Sequence, residues 1–292
     1  MNLSAQNTAQ ALQGLVDLLR LEQLEHNLFR GQSRDVGGPA VFGGQVLGQA
    51  LMAAARTVAP GQSVHSLHGY FLRAGDKAVP IVYDVDRIRD GASFATRRVV
   101  AIQHGQAIFH MSASFHKREG GPAHQGSMPE APPPESLADD HQRERAMADR
   151  LPERRRAFLQ LPQPVELRSV HPLDPLAPEP RPAQALHWLR APHALPDDPL
   201  LHQALLAYAS DWTDWPGATV RAAAISAWPS TWPPKTAGPP TSRLWPRKRL
   251  CSNCSSRSRS TRPCNAWAVS CTERFMPQIV LRFVAPASTA GP

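Results

Sequence analysis

Hydrophobic positions change their period along this chain, and each change marks an element. Leu12, Leu15, Val16 and Leu19 recur at the spacing of one apolar helical stripe, with Asn7 or Thr8 as the N-cap. From Gly37 the sequence GGPAVFGGQVLGQALMAAARTV passes from a glycine-rich loop into a helix on which Val46, Leu47, Ala50, Leu51 and Ala54 leave little polar surface. A helix that is apolar nearly all round is buried on several sides. Beyond it the period falls to two. IVYDVDRI (81–88) alternates, RDGAS (89–93) is turn-rich, FATRRVVAIQ (94–103) is rich in β-branched residues, and His104-Gly105 suits a hairpin turn. The clearest strand follows: Phe109, Met111, Ala113 and Phe115 share one face, and His110, Ser112, Ser114 and His116 the other. A buried helix followed by an antiparallel meander predicts an α+β fold in which the sheet wraps the helix.

Residues 118–160 are rich in Pro, Glu, Arg and Gln, include PEAPPPES, and show no sustained apolar period before RAFLQL. They read as a linker with room for one surface helix. VELRSV, QALHWLRA and DDPLLHQALLAYASD (197–211) then repeat the strand-and-helix grammar of the first half, with Asp197 or Asp198 as the helix N-cap. The expected organisation is therefore an N-terminal domain over 1–117, a linker over 118–160, the start of a second copy over 161–211, and a separate tail over 212–292.

Composition sharpens the last boundary. Residues 216–292 hold eleven Lys and Arg against Glu273 alone, a net of +10, while the whole chain carries +8. The basicity therefore belongs to the tail, as do all four cysteines and six of the seven tryptophans. Arg with interleaved aromatics can contact phosphates and stack on bases, but Trp215, Trp228, Trp232 and Trp245 each precede a proline. Nucleic-acid binding is the weaker account of this composition. Translation of a GC-rich gene in a shifted frame from about residue 212, or divergence of a pseudo-enzyme, would also produce it. Residues 1–30 lack a basic start followed by an apolar run, and Gln49 interrupts the most apolar stretch, VLGQALMAAA. Neither secretion nor membrane insertion is expected, and the cytoplasm is the expected compartment.

LFRGQS (28–33), VFGGQVLGQAL (41–51), HSLHGYFLRAGD (65–76), residues 81–115 and PDDPLLHQALLAYASD (196–211) stand in the order of blocks in the acyl-CoA thioesterase II family, which this chain resembles over residues 11–211. The resemblance implies a double hotdog, two modules each made of a helix wrapped by an antiparallel sheet, with the second module incomplete here. It implies hydrolysis of acyl-CoA to a free fatty acid and coenzyme A without metal, other cofactor or covalent intermediate. In that family a water is held by an Asp, a Thr or Ser, and a Gln. The Asp closes the block matching LLAYASD and is Asp211 here; the D-H-S/A-M-W and Q-E-G blocks that carry the other two have no match in this sequence.

Taken without the resemblance, Asp211 is an acid at a helix end, where turn formation is the common role. Gly43, Gly44 and Gln45 form a loop-to-helix junction whose backbone N–H groups suit a carbonyl or phosphate; equally, two glycines admit a helix to a crowded sheet. Arg89 and Ser93 flank a turn and are candidates for touching the CoA moiety. His65, His68, His110 and His116 lack a carboxylate or Cys at ligand spacing and read as core or surface residues rather than metal ligands. The cysteines run C-x2-C-x9-C-x6-C, a poor match to paired zinc knuckles. The expected partner is acyl-CoA, with homo-oligomerisation compatible. The alternative function is acyl-CoA binding without catalysis.

Overall fold

The computed structural model describes residues 3–117, 129–177, 179, 185–213, 222–227 and 278–282. Helix α1 spans Leu3–Leu18, β1 Glu22–Glu25, β2 Leu28–Gly31 and α2 Gly43–Ala55. Strands β3 (Gln62–Phe71), β4 (Ile81–Asp90), β5 (Phe94–Gln103) and β6 (Gln106–Lys117) follow. They join β1, β2 and a late strand, β10 (Gln278–Arg282), in one sheet of order β1-β2-β4-β5-β6-β3-β10, antiparallel throughout.

The sheet wraps α2, as the change of period predicts. Phe109, Met111, Ala113 and Phe115 are at most 2% exposed and share a core with Val46, Leu47, Ala50 and Leu51. The β5–β6 hairpin turns at His104 (φ 49°) and Gly105 (φ 71°), since a two-residue loop matched to the strand twist needs left-handed backbone at both positions. Gln49, the polar residue that breaks the apolar run, is fully buried and fully bonded. Its amide donates to the Leu18 and Gln32 carbonyls at 2.7 and 3.0 Å, and its oxygen accepts the Tyr83 hydroxyl at 2.7 Å.

Arg97 is a second buried polar residue, with none of its side chain exposed. Its guanidinium donates to the Thr57 hydroxyl and carbonyl (2.7 and 2.8 Å), to the Arg89 and Thr96 carbonyls (2.9 and 3.0 Å), and to the Asp90 carboxylate. These bonds tie the end of α2 to the β4–β5 hairpin.

Residues 129–160 carry regular structure. They contain two helices, α3 (Asp140–Arg145) and α4 (Glu153–Gln160), and are bound to a three-stranded sheet of β7 (Glu166–Ser169), β8 (Ala185–Arg190) and β9 (Ala222–Ala227). Arg168 donates to the Pro134 and Leu137 carbonyls, and Trp188 to that of Pro132. Proline-rich chain offers carbonyls without N–H groups, so donors from a neighbouring sheet satisfy it, and no apolar period announces the packing.

Asp140 in α3 accepts from the Ser169 backbone N–H and hydroxyl, and Ser169 Oγ lies 2.9 Å from His187 Nδ1. Burial holds His187 down to about 4, with Nε2 buried and unpartnered among the described residues. The fold thus keeps this imidazole neutral. Its contribution to stability is full above the unfolded value near 6.5 and is lost as pH falls toward about 4, on the order of 3 kcal/mol. Burial raises Asp140, an effect of opposite sign, which favours the folded chain as pH falls through the carboxylate range. Burial holds His141 down to about 4 as well, so the melting temperature should drop as pH is lowered from 6.5 toward 4.5, and His187→Leu should lessen that slope. An equal slope in the variant would remove His187 as its source.

The expected start of the first helix changes. Helix α1 begins at Leu3, so Asn7 and Thr8 lie within it rather than at its cap, and Thr8 Oγ1 sits 3.0 Å from His193 Nε2. Within the tail, Ala222–Ala227 runs parallel to β8 and Gln278–Arg282 antiparallel to β3. Both segments are free of proline, which is what strand pairing requires. The four cysteines and the remainder of the tail from residue 214 lie outside the described residues.

Candidate active site

Helix α5 (Pro199–Ser210) is capped by Asp198, which accepts the Leu200 N–H, and buries most of its length against α2. The crossing is close because α2 presents glycine where the two helices meet. A Cβ at Gly44 would collide with the Tyr208 carbonyl, and one at Gly48 would lie 3.1 Å from that of Ala204. The C-terminus of α5 is thereby delivered to the N-terminus of α2.

Asp211 is the C-cap of α5 and opens a short turn over Asp211–Thr213. Its Oδ2 accepts the Gly44 N–H at 2.8 Å. That N–H belongs to the first turn of α2, where amides have no intrahelical acceptor and the helix dipole is positive. Trp212 clamps the turn, with its ring 5.0 Å from Phe42, 5.8 Å from Phe158 and 5.9 Å from Tyr208. Burial pushes the Tyr208 hydroxyl upward, against the opposing Arg34 charge and with a smaller addition from Asp211, so it stays a neutral phenol.

The carboxylate lines a cleft of about 410 Å³ between the start of α2, the end of β3 and the start of β6. Val46, Phe71, Ile108 and Phe109 line its apolar part, and Leu72 and Arg73 stand exposed at its mouth. Asp211 and Phe71 meet over Gly43: a Cβ there would lie 2.7 Å from both Asp211 Oδ2 and Phe71 Cζ. The mouth is braced from behind. Buried Gln103 bonds the Asp76 N–H and the Asp76 and Val79 carbonyls, Val41 N–H donates to Gly75, and Lys77 donates to Asp35 and Gly38. The Lys77 ammonium, with the Gly37 N–H, holds the Asp35 carboxyl below its usual value.

The other candidates separate. Gly43 lines the cleft beside Asp211, and Gly44 lends its N–H to the carboxylate and its missing side chain to the helix crossing. Gln45 is turned away: fully buried, its oxygen accepts the Arg34 N–H and its amide donates to the Gln32 carbonyl, each at 3.1 Å. Arg89 and Ser93 lie near the opposite end of α2, roughly 20 Å along its axis. There the Arg89 carbonyl shares Arg97 with Thr57, and the Ser93 carbonyl accepts the Lys117 N–H.

Phe71 and Arg73 are cleft residues that periodicity does not flag. The Leu72 and Arg73 N–H groups both donate to the Ile108 carbonyl, at 2.8 and 3.2 Å, so two residues face one and the strand turns outward. The signal available in the sequence is the loss of alternation at FLRAGD. Among the described residues no group of His, Cys, Asp or Glu is arranged to hold a metal ion, and His65 Nε2 lies 2.8 Å from Ser114 Oγ. Nor, among them, is any helix long and apolar enough to cross a membrane.

A buried helix wrapped by an antiparallel sheet, with a carboxylate brought to its N-terminus by a second helix, defines a hotdog-fold protein. The family model described as acyl-CoA thioesterase N-terminal domain matches residues 32–116, and that described as acyl-CoA thioesterase matches 176–221. The chain belongs to the acyl-CoA thioesterase family. It is 39% identical over 201 residues to acyl-CoA thioesterase 2 of Haemophilus influenzae, covering 69% of this chain and 70% of that protein. It is 41% identical over 205 residues to human acyl-coenzyme A thioesterase 8, covering 67% and 64%. The solved structure of an acyl-CoA thioesterase II from Mycobacterium marinum shares 46% identity over 68% of each chain, with a TM-score of 0.52. The chain thus spans about two thirds of the length of these relatives.

Proposed function

We propose that this chain binds acyl-CoA at the Asp211 cleft and hydrolyses its thioester to a fatty acid and coenzyme A. The observation that carries the proposal is the Asp211 carboxylate, held by the Gly44 N–H at 2.8 Å where an apolar cleft meets the start of α2. In this mechanism Asp211 takes a proton from water as the water oxygen attacks the thioester carbonyl carbon. Collapse of the tetrahedral intermediate breaks the C–S bond, and the departing sulfur takes up a proton to become the CoA thiol. Gly43 leaves the approach to the carboxylate open, because a side chain there would occupy it. Residues 1–117 form the first module in this scheme and 161–211 begin the second; the substrate suits a cytoplasmic setting.

One observation favours binding with little turnover. The family implies a Thr or Ser and a Gln that aim the water with the Asp, and neither of their blocks has a match after Asp211. Loss of a positioning partner commonly costs about 100-fold or more. Release of CoA thiol from decanoyl-CoA should therefore be detectable above the uncatalysed rate, yet at least about 100-fold slower than for an intact relative assayed beside it. A chain that neither binds acyl-CoA in calorimetry nor releases thiol would defeat the proposal, and a rate equal to the relative's would show that the water is aimed by other residues.

A further inference from the structure

We propose that Phe158, on a helix outside the cleft, is a positioning residue for the Asp211 carboxylate and acts through the Trp212 ring. Its effect on catalysis rests on the hydrolysis proposed above, whereas the placement of the carboxylate can be read without substrate.

Asp211 needs holding because its own helix works against it. It caps the C-terminus of α5, where the helix dipole is negative and unbonded carbonyls face a carboxylate. The Gly44 N–H draws Oδ2 the other way, at 2.8 Å. A short side chain turns among three staggered wells, so this bond forms only while the backbone is fixed and one well is kept. Trp212, the next residue, does the fixing. Its indole stacks on Tyr208 of α5 (5.9 Å, 28°), meets Phe42 edge-on (5.0 Å, 84°) and lies tilted against Phe158 (5.8 Å, 41°). Phe42 is the N-cap of α2, and its carbonyl accepts the Gln45 and Val46 N–H groups. The indole therefore sits between the two helix ends that share the bond.

Tyr208 and Phe42 belong to those helices, but Phe158 comes from α4. It is itself held from two other directions. The Arg155 guanidinium carbon lies 5.1 Å over its ring, and Arg155 pairs with Glu144 of α3. From the mouth of the cleft comes Gly37, where a Cβ would lie 3.4 Å from Phe158 Cδ2. Removing the Phe158 ring opens one side of Trp212 while the contacts of α5 with Gly44 and Gly48 stay. Trp212 is only half-buried even with that ring in place, so water takes the vacated side and the indole gains rotamers.

The Gly44 amide reports the result. It has no intrahelical acceptor, so its protection from hydrogen exchange comes from Asp211, whereas the Leu47 and Leu51 amides are protected by α2 itself. The test is residue-resolved amide exchange of the full chain without ligand, with Asp211→Ala as the unheld limit. In Phe158→Ala, exchange at Gly44 should quicken roughly five- to tenfold toward that limit and stay unchanged at Leu47 and Leu51. A loss of global stability would quicken all these amides together. Phe158→Leu should give a smaller rise at the same amide and covers the case in which the alanine variant does not fold. In a Trp212→Leu background, Phe158→Ala should add nothing. With decanoyl-CoA, Phe158→Ala should slow single-turnover thiol release about threefold, as one well in three remains productive, and leave the dissociation constant unchanged. An unaltered Gly44 amide, or a rise shared by the whole of α2, overturns the positioning role. A rise that persists in the Trp212→Leu background overturns the route through the indole. If the Gly44 amide responds as expected while the wild-type chain releases no thiol, the placement stands and the hydrolysis proposed for the cleft falls.

Discussion

Asp211→Asn should lower kcat for acyl-CoA hydrolysis by roughly 10² to 10⁴ and change KM little. Asparagine keeps the shape of the side chain, and its carbonyl oxygen can still accept the Gly44 N–H, so the turn at the end of α5 survives. What it cannot do is take a proton from water. The interaction lost belongs to the transition state, which is why the effect falls on kcat. Because slow turnover is expected, the measurement is a single-turnover assay with enzyme in excess, its rate followed as a function of enzyme concentration and paired with a melting curve on the same preparation. If Asp211 serves only as the cap that joins the two helices, the variant will melt earlier and turn over as fast per folded molecule. That outcome would take Asp211 off the catalytic list.

Arg97→Met should cost on the order of 3 kcal/mol and lower the melting temperature by on the order of 10 °C. The substitution fills similar space with apolar atoms but leaves the Thr57, Arg89 and Thr96 carbonyls without the donors they have now. Asp90 is more than half exposed and can return to water, so the loss falls on the carbonyls rather than on an orphaned charge. Arg97→Lys keeps the charge without the planar fork and should recover only part of the stability. A melting temperature within 2 °C of wild type for the methionine variant, by the same scale, would mean that the β4–β5 hairpin holds α2 without it.

The parts of the fold written in local periodicity are legible from the sequence. FATRRVVAIQ is β5 residue for residue, β4 extends its expected range by two positions, and α2 begins at the expected glycine junction. Even Arg97 was open to inspection, since alternation puts it on the same face as Ala95, Val99 and Ala101, all of them buried. A charged residue on an apolar face is a request for a partner, but nothing local says that the partner is Thr57. The site is less legible for the same reason at longer range. Gly44 and Asp211 are 167 positions apart, and only the crossing of α2 with α5 brings them together. Family resemblance singles out Asp211; spacing alone does not. Gln45 shows the converse, a polar residue at a promising junction whose partners turn out to be the backbone of the preceding loop.

The closeness of that crossing has a consequence for how such a site can change. The carboxylate rides on one helix and its anchoring N–H on another, and their separation is set by side chains that are absent, at Gly44 and Gly48. Small substitutions on the facing surface of α5, at Ala204 for instance, act as shims: they tilt the helix and swing its capping carboxylate while the apolar side chains of the cleft keep their identity. The position of the carboxylate is thus adjustable from outside the cleft, without a change in any of the apolar side chains that line it.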